Sequence, residues 1–121
     1  MFALTADHRY YLYPLPTDMR KSFDGLAGII NHALELNPCS GDVFIFINRS
    51  HNKIKLLHWQ GNAFILYYKR LEEGTFEIPR YDPTVVSINL NYSQLVMLID
   101  GLSIKNIHKR KSYIPSTSTV N

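Results

Sequence analysis

The stretch VFIFINRSHNKIKLLHWQGNAFILYYK, residues 43–69, decides the fold. It holds three runs, 43–48, 53–59 and 63–69, rich in the β-branched and aromatic residues that suit a pleated, half-buried surface. The intervening RSHN (49–52) and QGN (60–62) are short enough to be hairpin turns. A four-residue first turn sets Asn48 against Lys53 and Ile45 against Leu56, and a three-residue second turn sets Trp59 against Ala63 and Lys55 against Tyr67. These registers gather Val43, Ile45, Ile47, Ile54, Leu56, His58, Phe64, Leu66 and Tyr68 on one face, expected to receive the first helix. The opposite face is apolar at one end, with Phe44, Phe46, Leu57, Trp59 and Ile65, and cationic toward the other, with Asn48, Lys53, Lys55, Tyr67 and Lys69.

Upstream, PTDMRKSFDGL (16–26) reads as a helix start. Thr17 has N-cap chemistry and Asp18 suits the positive end of the helix dipole, while Met19, Phe23, Leu26, Ala27, Ile30, Ala33 and Leu34 recur at helical spacing. The helix must end before Pro38. YYLYPLP (10–16) is expected to be a short edge strand closed by prolines. Downstream, TFEIP (75–79) and VVSINL (85–90) are candidate strands. Asn91 and Gln94 form a capping-box pattern for a closing helix carrying Leu95, Leu98, Ile99 and Leu102. The fold class expected is therefore α+β: a single domain over residues 1–104, with a mostly antiparallel sheet of about four to six strands and an N-terminal and a C-terminal helix packed on it.

The formal charge of +3 is unevenly placed. Lys105, Lys109, Arg110 and Lys111 follow residue 104; removing them from the 13 cations leaves nine against ten acids, a net −1 for residues 1–104. Residues 105–121 are basic and then Ser/Thr-rich, a composition expected to form a flexible arm able to contact phosphates. No run of about eighteen apolar residues and no signal-peptide pattern is present, so no membrane association is expected and the cytoplasm is the expected location. Cys39 is the single cysteine, which argues against a disulfide or a cysteine zinc site.

Two-metal chemistry needs converging carboxylates, and the acids here lie in turns, caps and helix ends; Asp18 and Asp24 fall on different helix faces. The five histidines have no ligand spacing, and no Gly-rich phosphate loop follows a strand. No catalytic residue, metal or cofactor is expected. What the sequence does offer is cations beside aromatic rings, the combination that serves phosphates and bases. The candidate nucleic-acid-binding residues are Arg20, Lys21, Arg49, Lys53, Lys55, Tyr67, Lys69 and Arg70.

The segments PTDMRKSFDGLAGI, PCSGDVFIFINRSHNKIKLLHWQGNAFILYYKRLEEGTFEIP and LNYSQLVMLIDGL together resemble the TnpB (Orf2-like) accessory proteins of the insertion-sequence-66 family of bacterial transposable elements, from about Tyr10 to Leu102. The likeness lies in Pro16–Lys21, Phe23–Leu26, Ser40-Gly41, Asn48-Arg49, Lys53, Lys55, Trp59, Gly61, Phe64, Tyr68–Leu71 and Gly74. Ser22, Ile47 and Gln60 depart from the residues usual there. The resemblance implies a non-catalytic partner of a separately encoded transposase, distinct from the RNA-guided nuclease of the same name. It leaves two modes of action: DNA binding through the cations, or an adaptor docking on the transposase through an exposed Phe44, Phe46 and Trp59 patch.

Overall fold

Val43, Phe44, Ile45, Phe46 and Ile47 are all buried, and a strand apolar on both faces belongs in the middle of a sheet with cover on each side. A computed structural model, which describes residues 4–101, places it there. The chain runs β1 (Tyr10–Leu12), α1 (Phe23–His32), β2 (Val43–Ile47), β3 (Lys53–Trp59), β4 (Phe64–Arg70), β5 (Ile88–Leu90) and α2 (Tyr92–Ile99). The five-stranded sheet has the order β4-β3-β2-β1-β5, antiparallel except for the β1–β2 pair. This is the α+β domain expected, with one helix on each face. The basic arm at 105–121 and Leu102 lie outside the described residues.

The helices take the opposite faces from those expected. Leu26, Ile30 and Leu34 of α1 and the residues after it pack on Phe44, Phe46 and Leu57. Leu95, Leu98 and Ile99 of α2 pack with Phe76 on Val43, Ile45, Ile47, Ile54 and Leu56. The Phe44 and Phe46 patch suggested for a docking surface is therefore core, fully buried beneath α1. TFEIP is not a strand; its Phe76 is a buried anchor whose N–H donates to His51 O at 2.7 Å.

The first hairpin has the expected register, with Ile45 opposite Leu56. Asn48 builds its turn: Oδ1 accepts from the N–H of Asn52 and of Lys53, each at 3.0 Å, and Nδ2 donates to Asn52 Oδ1 at 2.7 Å. The second hairpin is shifted by one residue. Its turn spans 60–63, closed by Gln60 N–H donating to Ala63 O at 2.9 Å, so Trp59 opposes Phe64 and Lys55 opposes Tyr68. The two rings of the Trp59–Phe64 pair meet edge to face at 4.9 Å, a contact the shorter turn would break. A one-residue slip reverses every side chain. Phe64, Leu66, Tyr68 and Arg70 thus share the α1 side, and Ile65, Tyr67 and Lys69 the α2 side.

Thr17 does not cap α1. Its N–H donates to Ile47 O at 2.9 Å, as Tyr13 N–H does to Ile45 O at 3.0 Å, so 13–17 continues alongside β2 and its prolines fall where no donor is used. The helix begins later, after Ser22, and Phe23 is an exposed end residue rather than core. The capping box of α2 forms as expected: Asn91 Oδ1 accepts from Gln94 N–H at 2.8 Å and Asn91 N–H donates to Gln94 Oε1 at 2.9 Å.

Candidate nucleic-acid interface

Between β1 and α1 the chain makes a tight turn over the cationic end of the sheet. Asp18 organises it: Oδ1 accepts from Arg20 N–H at 2.9 Å, and the Arg20 guanidinium grips both carboxylate oxygens, with Nη2 to Oδ2 at 2.6 Å. The Arg20 hydrogen bonds hold the Asp18 carboxyl down at about 2. Lys55 fixes the turn from below. It is 5% exposed, and its Nζ donates to Met19 O at 2.8 Å and Lys21 O at 2.7 Å while lying 4.6 Å from the centre of the Tyr68 ring. Burial lowers its pKa, partly opposed by the charge of Asp18.

This turn and the 49–52 hairpin turn form the walls of a cleft of about 640 Å³. Pro16, Thr17, Asp18, Met19 and Arg20 line one side, Asn48, Arg49 and Ser50 the other, and Lys53 and Tyr68 complete it from the sheet. Three cations face one acid there. Arg20 is paired with Asp18, whereas Arg49 and Lys53 join no acid among the described residues. Thr17 is 4% exposed, and its Oγ1 has no hydrogen-bond partner among the described residues.

The structure thus brings Arg20, Arg49 and Lys53 together, with Lys21 on the adjoining turn. Arg70 stands opposite Lys53 on the same face, its guanidinium paired with Glu72 at 2.9 Å. Lys55 shares that face, but its ammonium is spent inside the fold. Tyr67 and Lys69 lie on the other side of the sheet, where the slipped register puts them. Lys69 Nζ donates to Ile99 O at 2.7 Å, supplying the positive charge that the last turn of α2 lacks. Tyr67 packs against the α2 core, and burial raises its pKa, with the Asp100 charge adding to it. Sequence reasoning missed Tyr68, half exposed in the cleft, and Thr17; the turn length that would have found Tyr68 is not written in QGN alone.

Among the described residues, no three His, Cys, Asp or Glu side chains stand together as a metal site, and no helix is long and apolar enough to cross a membrane. A family model described as IS66 Orf2 like protein matches residues 8–109. Two Sinorhizobium fredii proteins, both named only as uncharacterized, are similar over most of their length. One, y4hO, is 32% identical over 100 residues, covering 83% of this chain and 84% of its own; the other, y4jC, is 29% identical over 96 residues, covering 79% and 80%. No solved structure matches the chain.

Proposed function

The chain belongs to the IS66 Orf2-like family, whose role is accessory to transposition, and we propose that it acts by binding nucleic acid, beside a separately encoded transposase and without chemistry of its own. One observation carries the reading: a cleft lined by Arg20, Arg49 and Lys53, of which the last two have no acidic partner among the described residues. Like charges lining one cleft repel one another, and a phosphate relieves that repulsion. The adaptor reading has lost Phe44 and Phe46 of its aromatic patch to the core, with Trp59 half-buried, and would need another surface.

The test is fluorescence anisotropy with element-end DNA at increasing salt. Binding should fall with a log–log slope of about −0.9 for each duplex phosphate neutralised, and Arg49→Glu with Lys53→Glu should shorten that slope by about 2. Absence of any salt-dependent binding to nucleic acid would refute the reading, and co-purification with the transposase unaffected by these substitutions would favour the adaptor.

A further inference from the structure

The cleft holds more than charge. Tyr68 is 51% exposed although it sits in a strand, and its ring is held in place on one side by the Lys55 ammonium, itself anchored to two backbone carbonyls. With Lys55 against one side of the ring, the exposure of this cleft-lining residue leaves its other face to a ligand. Lys53 is its diagonal neighbour across β3 and β4, about 7–8 Å away at the backbone. That separation lets one nucleotide span the pair. Arg49 and Ser50 come from a turn fixed by the three Asn48 hydrogen bonds, and Thr17, whose buried hydroxyl has no partner among the described residues, lines the same cleft.

We propose that this cleft takes an unpaired nucleotide of a DNA strand, its base stacked on Tyr68 and its phosphate on Arg49 and Lys53, so that the protein prefers single-stranded to duplex DNA. The proposal rests on the nucleic-acid reading above and specifies its ligand. A ring set among Arg20, Arg49 and Lys53 meets the face of a base only if that face is uncovered. In a duplex the neighbouring base pairs cover it, and the phosphates present a convex surface to the cleft mouth. Stacking on an aromatic platform tolerates every base, so little sequence preference is expected.

Anisotropy with labelled oligo(dT), oligo(dA), an equal-length duplex and oligo(U) tests it. Tyr68→Leu keeps an apolar cover over Lys55 but removes the ring, and Tyr68→Phe keeps the ring. Wild type should bind oligo(dT) and oligo(dA) more tightly than duplex. Tyr68→Leu should lose about 5- to 150-fold on the single strands and less than about twofold on duplex, with Tyr68→Phe restoring the difference. Circular dichroism confirms that each variant is folded. Equal losses on single strands and duplex, or no preference in wild type, would overturn the stacking site while leaving the cationic reading intact. No binding to any of the four would overturn both. Tighter binding of oligo(U) than oligo(dT) would overturn the assignment to DNA.

Discussion

Replacing Lys55 by Met removes an ammonium and keeps most of the stem, which makes it a direct measure of how the turn over the sheet is held. Two hydrogen bonds from a charged donor are lost, to Met19 O and Lys21 O, each worth about 1.5–3 kcal/mol, together with a ring contact of about 0.5–1 kcal/mol. Against this, Met recovers the penalty of burying a charge on a residue 5% exposed, several kcal/mol. The depressed pKa of Lys55 shows that this penalty is felt. The balance is a loss of about 2 kcal/mol, which lowers Tm by about 8–10 °C in a domain of this size. Urea and thermal unfolding measure it, and the Asp18 carboxyl, followed by NMR, should rise from about 2 as the turn loosens. A Lys55→Met protein within about 0.5 kcal/mol of wild type, with the Asp18 titration unmoved, would refute the assignment of Lys55 as the strut.

Other expectations are more local. Gly28 lies within α1 with no neighbouring atom within 4 Å of where an alanine methyl would sit, so Gly28→Ala should stabilise by about 0.5–1 kcal/mol; Gly61, equally uncrowded but at φ +89, should lose about 1–2 kcal/mol on the same change, and both are read by urea midpoints. His58 Nε2 lies 3.1 Å from Gly41 O and Nδ1 is buried without a partner among the described residues, which offer a second ring proton no acceptor; burial first, then nearby His8, lowers its pKa. The unfolded chain therefore binds a proton more readily, and stability should fall as pH drops through about 6.5 toward the folded pKa, a slope that His58→Gln should remove in urea titrations between about pH 5 and 8. The Asp18–Arg20 contribution has the opposite origin: with the folded carboxyl at about 2, it is fully present above the ordinary value of 3.8 and lost as pH falls through about 2. Arg20→Gln should move the Asp18 carboxyl shift midpoint back toward 3.8, and an unchanged midpoint would contradict the ion pair.

The parts of the fold that local chemistry decides could be read from the sequence. Asn48 and the RSHN turn fix the first hairpin, and Asn91 with Gln94 begins α2, because the donors and acceptors involved are neighbours in sequence. Where the deciding contact is distant, sequence reasoning failed. Thr17 has the side chain of an N-cap, but Ile47 takes its N–H. In FILYYKR both alternations carry rings and cations, so nothing in the pattern reveals the longer second turn that puts Tyr68 rather than Tyr67 beside Lys55. β2 is apolar at every position, and its sequence cannot say which helix covers which face. The cations show the same limit. Lys55 and Lys69 satisfy backbone carbonyls, and Arg49 and Lys53 bond none among the described residues, a distinction that residue type does not carry.

The position of β1 between β2 and β5 bears on how the protein is made. When a ribosome has delivered Arg70, four strands and α1 can already associate, yet the side of the sheet carrying Val43, Ile45, Ile47, Ile54 and Leu56 waits for Phe76 and α2. At about 5–20 residues per second, the stretch to Ile99 takes roughly 1.5–6 s to synthesise. Throughout that interval the nascent chain displays a broad greasy surface and an unpaired β1 edge. Chaperone capture is favoured in that window, and a message cut short before codon 88 would yield a sticky, degradation-prone fragment instead of a partly working protein.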